Sequence, residues 1–176
     1  MQYIEQKSAK DMIESRTKYF KASDFSCECC GYYFMDENLV MALDHLRDRF
    51  GHPLTIKSAY RCQQQNLLDK GAKDSMHKVG KAVDLKVSTM SSDKLMKLVR
   101  LALADYSHLN LSRFNGFGMG NNTFHIDIRG EAKAWTYTAY NKFVNDKYSS
   151  WQIDFTISLV TLFQTLQPNT ARSSFL

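Results

Sequence analysis

Apolar residues recur at helical spacing in two stretches of the chain. In residues 35–50 the recurring apolar positions are Leu39, Val40, Leu43, Leu46 and Phe50. In residues 93–106 they are Leu95, Leu98, Ala102 and Tyr106, widened by Val99 and Leu103. Apolar residues three and four apart share one side of a helix, so both stretches are predicted to pack against a core. Gly51 and Pro53 form the usual stop pattern after the first of these helices.

Two shorter segments alternate between apolar and polar residues, which is typical of strands with one buried side. In residues 82–87, Val83, Leu85 and Val87 alternate with Ala82, Asp84 and Lys86. In residues 123–129, Phe124, Ile126 and Ile128 alternate with His125 and Asp127. Each strand is therefore predicted to turn its apolar residues to a core and its His or Asp residues to a cleft.

The remaining segments are less regular. Residues 1–19 are predicted to form a helix at the edge of the fold, and residues 53–60 a strand. The aromatic-rich segment 131–144 is predicted to be a helix that packs back on the sheet. We expect one domain over residues 1–155 and a tail, partly disordered, over residues 156–176.

Composition fits a globular protein with one core. The chain has 176 residues, of which 44% are hydrophobic and 23% charged. Its formal net charge of +5 suggests an anionic partner, such as nucleic acid, a membrane surface or a bacterial wall polymer. The basic residues are spread along the chain, which argues against nucleic acid.

The four cysteines are Cys27, Cys29, Cys30 and Cys62. A second zinc site and a disulfide to Cys62 are both conceivable. We interpret all four as reduced, partly buried thiols, because the C-x-C-C run does not show the usual C-x-x-C ligand spacing and no partner pair follows downstream.

His77 and Asp84 are the first candidates for metal chemistry. Gly80 lies between them, and Asp84 looks out from its half-buried strand, so a histidine in the preceding loop can reach its carboxylate. Imidazole nitrogen and carboxylate oxygen are ordinary zinc ligands. His125, on the polar side of the second strand, supplies a third.

These residues carry a resemblance to a known family. The pattern S-x-H-x-x-G-x-A-x-D is present as Ser75, His77, Gly80, Ala82 and Asp84. An H-x-D follows in a later strand, and the upstream segment IKSAYRC contains Ser-x-Tyr-Arg ending at Arg61. Together they resemble the zinc D-alanyl-D-alanine carboxypeptidase family, whose fold is shared with Hedgehog signalling domains. The resemblance covers residues from about 20 to about 140.

The resemblance implies an α+β fold, in which a small antiparallel sheet carries the zinc ligands and helices pack on its other face. It implies zinc as the cofactor, held by His77, Asp84 and His125, with a water in the fourth position. In the family an arginine at the position of Arg61 sits over the active site, where a guanidinium can bind a carboxylate or a developing oxyanion. Ser75 is a candidate for substrate binding, with a structural role in the turn as the alternative.

The general base is the point at which the chain departs from part of the family. Many members carry Glu or Asp three residues before the last ligand, whereas this chain has Asn122. Asp127 points to the same side as His125 and is the candidate base. The alternatives for Asp127 are a partner that orients His125 and a salt bridge to Arg129.

The predicted activity is zinc-dependent hydrolysis of an amide bond in peptidoglycan stem peptides, as a D-Ala-D-Ala carboxypeptidase or an endolysin-like endopeptidase. The alternative is a non-catalytic wall- or virion-associated module that retains the fold, and a third hypothesis is a thiol-based redox or cysteine–zinc protein. The expected partner is a peptidoglycan peptide, without nucleic acid, and the expected state is a monomer.

The predicted location follows from the polar N-terminal segment. It lacks the apolar core of a secretory signal, and no run approaches the roughly 18 apolar residues of a membrane span. We therefore expect synthesis in a cytoplasm and action on the bacterial wall after delivery by a holin or a virion, as for a phage-encoded enzyme.

Overall fold

The computed structural model describes residues 6–104, 109–112, 114–120 and 122–136. Four α-helices are described, α1 (Gln6–Arg16), α2 (Glu37–Phe50), α3 (Gln63–Leu68) and α4 (Ser92–Leu103). The five strands are β1 (Ile56–Ser58), β2 (Ala82–Lys86), β3 (Gly116–Met119), β4 (Thr123–Asp127) and β5 (Lys133–Thr136). The predicted tail, 156–176, lies outside the described residues, as does the end of the predicted domain.

The two predicted amphipathic helices are α2 and α4. Asp36 caps α2 by accepting a hydrogen bond from the backbone N–H of Asn38, and Gly51 ends it with a left-handed φ of 73°. Ser91 caps α4 through the backbone N–H of Lys94. The predicted end of α4 at Tyr106 falls outside the described residues.

The strands form one sheet in the order β1-β2-β4-β3-β5. The pairs β1–β2, β2–β4 and β4–β3 are antiparallel, whereas β5 pairs parallel to β3. The α+β class is confirmed, but the sheet is mixed and not purely antiparallel as predicted. The reason is that the chain reverses after β4 and lies on the far side of β3, so β3 and β5 both run opposite to β4.

The helix predicted over residues 131–144 is wrong where the structure describes it. Residues 133–136 form the edge strand β5, with Trp135 opposite Gly118 of β3. Aromatic and β-branched residues such as Trp135 and Thr136 suit a pleated strand. The rest of the segment lies outside the described residues, and a short apolar run alone does not separate helix from strand.

The core lies on one side of the sheet. Val83 and Leu85 of β2 and Phe124 and Ile126 of β4 are fully buried there. They belong to one apolar cluster with helix residues that include Leu39, Leu43, Leu46 and Leu98. The alternation along β2 and β4 therefore turns Asp84, His125 and Asp127 to the opposite side, as predicted.

Candidate metal centre

His77 lies in a single 3-10 turn, Met76–Val79, directly before β2. Gly80 ends this turn with a φ of +65°, and a Cβ atom there would lie 2.1 Å from the carbonyl oxygen of Phe34. Any side chain at position 80 would therefore clash with backbone as well as strain the turn. The glycine lets the turn pack tightly against the segment before α2, which buries His77 with an exposure of 2%.

Asp84 and His125 are brought together by the sheet. They are direct partners in the register of β2 and β4, and both are buried. Side chains of directly opposed residues on adjacent strands lie on the same side of the sheet. The two strands predicted from alternation therefore present one carboxylate and one imidazole at the same point.

The three predicted ligand atoms converge. His77 Nε2 lies 3.1 Å from His125 Nδ1, and His125 Nδ1 lies 2.8 Å from Asp84 Oδ1. His77 Nε2 lies 3.3 Å from Asp84 Oδ1. Ligand atoms at about 2.0–2.1 Å from a tetrahedral zinc ion are about 3.3 Å from one another, so this set fits zinc with a small outward adjustment.

Each histidine has its other ring nitrogen engaged. His77 Nδ1 lies 2.6 Å from the carbonyl oxygen of Ala59, which can only accept, so that nitrogen carries the proton. His125 Nε2 lies 2.9 Å from Asp127 Oδ2, which likewise accepts. His77 Nε2 and His125 Nδ1 therefore face each other and Asp84 Oδ1. In this orientation the two nitrogens can either donate a proton to Asp84 or bind a cation together with it.

Asp84 is held by Arg61. The guanidinium Nη2 donates to Asp84 Oδ2, which leaves Oδ1 for the histidines. Burial raises the pKa of Asp84, but its hydrogen bonds to His125 and His77 and their charges lower it well below the ordinary value. The carboxylate is therefore ionised and able to bind a metal.

Arg61 is fixed from several directions. Its Nε donates to Ser58 Oγ at 2.8 Å and lies 3.1 Å from Asp69 Oδ2. Its backbone N–H donates to the carbonyl oxygen of His77 at 3.2 Å. The side chain is 12% exposed, so the guanidinium stands at the border between the buried ligands and solvent.

Asp127 is fully buried and has both carboxylate oxygens engaged. Arg129 donates to Oδ1 from its backbone N–H at 3.1 Å and from Nε at 2.8 Å, and Arg129 Nη2 donates to Oδ2. Burial raises the pKa of Asp127, but the hydrogen bonds and charges of Arg129 and His125 lower it to about 2. The contacts thus correspond to the two alternative roles, orientation of His125 and a salt bridge to Arg129. They favour these over the role of a proton acceptor.

Comparison with known families decides the classification. The family model described as peptidase M15 matches residues 13–127, which include all three candidate ligands and Arg61. The chain belongs to the peptidase M15 family. This confirms the predicted family. Among curated proteins no sequence matches the chain.

Two glycines of β3 shape the wall of this candidate metal centre. A Cβ atom at Gly116 would lie 2.0 Å from Asp127 Oδ1, and one at Gly118 would lie 2.6 Å from the ring of Trp135. Gly116 and Gly118 therefore make room for side chains from both neighbouring strands.

Trp135 is a site residue that the sequence did not reveal. Its ring centroid lies 5.0 Å from that of His125, and the guanidinium of Arg129 lies 5.0 Å from the same indole. The indole thus packs over the last candidate ligand and its neighbour. Gly118, directly opposite on β3, was the available signal, because a glycine inside a strand marks a close approach.

The other predicted residues lie near the site. Ser75 is half-buried and precedes the turn that carries His77, but its hydroxyl does not cap that turn. Asn122 is exposed, and its backbone carbonyl accepts a hydrogen bond from the backbone N–H of Val87 at 3.1 Å.

None of the described helices is long and apolar enough to cross a membrane.

Proposed function

We propose that this M15 family member is a zinc-dependent peptidase that hydrolyses an amide bond in peptidoglycan stem peptides. The observation that carries the proposal is the convergence of His77 Nε2, Asp84 Oδ1 and His125 Nδ1 at 2.8–3.3 Å. Three protein ligands leave a fourth position for water, which is the arrangement of catalytic rather than structural zinc sites.

Zinc bound there would supply an activated water and polarise the scissile carbonyl. The chain's own residues hold the geometry in which this chemistry takes place. Ala59 and Asp127 fix which nitrogen of each histidine would face a bound metal, and Arg61 fixes which oxygen of Asp84 would do so. Such outer contacts preorganise ligands that would otherwise rotate.

Arg61 is proposed to have a second role toward the substrate. Its guanidinium stands at the border of the buried cluster and is partly exposed, so it can reach a terminal carboxylate or a carbonyl oxygen that gains charge. Ser75, at the start of the same turn, is proposed to hydrogen-bond the peptide. The net charge of +5 favours acidic stem peptides.

Asp127 is proposed to orient His125 rather than to accept a proton. Both of its oxygens are already bound to Arg129 or His125, and the side chain is fully buried. A general base must reach the water it deprotonates.

The test is digestion of purified peptidoglycan with and without chelator, followed by mass spectrometry of the released peptides. Loss of one terminal D-Ala that stops with chelator supports a D-Ala-D-Ala carboxypeptidase. An internal cut that stops with chelator supports an endolysin-like endopeptidase. A folded, zinc-loaded protein that cuts no bond refutes the peptidase and supports a wall- or virion-binding module.

A further inference from the structure

A second cluster of metal-binding side chains lies apart from the histidine site. The sulfur atoms of Cys27, Cys29, Cys30 and Cys62 all lie within 4.8 Å of one another. Cys29 Sγ is 3.1 Å from Cys62 Sγ and 3.7 Å from Cys27 Sγ. Sulfurs bound at about 2.3 Å to a tetrahedral zinc ion are about 3.8 Å apart, so the four side chains nearly occupy the required positions.

The backbone around the cluster forms a tight turn that gathers three of the cysteines. The chain turns back between Cys27 and Tyr32, with the N–H of Cys27 donating to the Tyr32 carbonyl at 2.7 Å. Gly31 makes this turn possible with a φ of +70°, and its N–H donates to the Cys27 carbonyl at 2.9 Å. Cys29 and Cys30 are thereby projected from the tip of the loop toward Cys62.

Backbone N–H groups also point at the sulfurs. The N–H of Cys62 lies 3.4 Å from Cys27 Sγ, and the N–H of Gln65 lies 3.4 Å from Cys62 Sγ. Hydrogen bonds of this kind stabilise a thiolate, which is the form of cysteine that binds a metal. Cys27 is buried in the centre of the cluster, while Cys29 and Cys30 are exposed and offer a route for the ion.

We propose that Cys27, Cys29, Cys30 and Cys62 bind a structural zinc ion in a closed four-thiolate site. The expectation of four reduced thiols without a metal is revised here, because Cys27 and Cys30 are themselves a C-x-x-C pair and the fold brings Cys62 to the loop as the fourth thiol. One zinc ion would engage all four sulfurs at once, whereas each disulfide joins only two of them.

The position of Cys62 gives the site its effect on the rest of the molecule. Cys62 directly follows Arg61 and caps α3, and the preceding Tyr60 donates from its N–H to the carbonyl of Phe25 at 3.3 Å. A zinc ion at the cluster would therefore tie the loop 27–31 to the segment that places the guanidinium of Arg61 on Asp84. The proposed role is positional, since no cysteine contacts the histidine site directly among the described residues.

The experiment measures metal content of the full chain purified under reducing conditions with zinc. We expect two zinc ions per chain, one for each cluster of ligands. The double variant Cys29→Ser with Cys30→Ser is expected to retain one, and the double variant His77→Ala with His125→Ala is expected to retain the other. The absorption spectrum of the unaltered chain with Co²⁺ in place of zinc is a second, independent measurement. Thiolate ligands to cobalt add an intense near-ultraviolet charge-transfer band.

Each alternative result overturns the proposal. One zinc ion per chain that disappears with the histidines means that the cysteines hold no metal. Absence of the thiolate–cobalt band in the unaltered protein means the same, even where the serine variant fails to fold. A mass lower by two hydrogens per bond, with loss of titratable thiols, assigns the cluster to a disulfide. Because the histidine variant is read separately, failure of this site is distinct from failure of the peptidase site.

Discussion

Asp84 and His125 lie directly opposite each other on adjacent antiparallel strands, and Asp84 Oδ1 is 2.8 Å from His125 Nδ1. The contact joins two residues that are 41 positions apart in the chain. It forms because each residue belongs to the polar side of an alternating strand and the register aligns them. A slip of one residue in either strand would turn one of the two into the core.

Loss of one histidine of the His77–Asp84–His125 site is expected to abolish zinc binding at that site and, with it, peptidase activity. We predict that His125→Ala lowers kcat/KM to the background rate and reduces the zinc content by one ion per chain, because two protein ligands hold zinc too weakly. Metal analysis and peptide release measure both effects. The control is His52→Ala, which removes a histidine that lies outside the cluster. Zinc loss in the control would show that the effect is not local.

Replacement of Asp127 separates its two possible roles. We predict that Asp127→Asn weakens zinc binding by about 10–100-fold, because His125 loses the carboxylate that orients it. At saturating zinc the rate is expected to recover most of its original value. Titration of activity against free zinc measures this. A rate that stays low at saturating zinc would instead identify Asp127 as the general base. Asp11→Asn, at an exposed carboxylate, is the control.

Arg61→Lys tests the role of the guanidinium toward the substrate. Lysine keeps the positive charge but loses the planar fork that can serve Asp84 and a substrate oxygen together. We predict a fall in kcat of about 10²–10³-fold that persists at saturating zinc, as for the loss of an oxyanion donor. Full recovery with added zinc would restrict Arg61 to positioning Asp84. Arg49→Lys, at the exposed end of α2, is the matched control.

Gly116→Ala is expected to destabilise the protein through Asp127. The added Cβ would lie 2.0–2.3 Å from the atoms of the buried carboxylate, which Arg129 and His125 hold in place. Overpacking of this kind costs about 1–3 kcal/mol of the free energy of unfolding. Urea denaturation with chelator present measures it without a metal contribution.

The control for this prediction is Gly130→Ala, where a Cβ atom would meet nothing within 4 Å. A change within about 0.5 kcal/mol is expected there. Equal losses at the two positions would mean that the contact with Asp127 is not the cause.

The elements with a clear period were predictable from the sequence. The helices α2 and α4 and the strands β2 and β4 each carry a repeated pattern over enough residues to define a buried side. The pattern also places Asp84, His125 and Asp127 on the polar side, because in a strand that side follows from the position of the apolar residues. Strand β5 has only four residues, which is too short for a period to separate it from a helix.

What the sequence by itself determined was therefore which residues share a side of each element, including Asp84 and His125 of the three candidate ligands. Only the tertiary structure decided which atoms meet. It places the Arg129 guanidinium in hydrogen-bonding contact with the Asp127 carboxylate and the Trp135 indole against the His125 ring. It also brings Cys62 to the cysteines of the loop 27–31. The physical reason is that the side a residue faces depends on local backbone geometry. Convergence of distant side chains depends on strand register, tight turns and the packing of segments tens of residues apart, which no local pattern encodes.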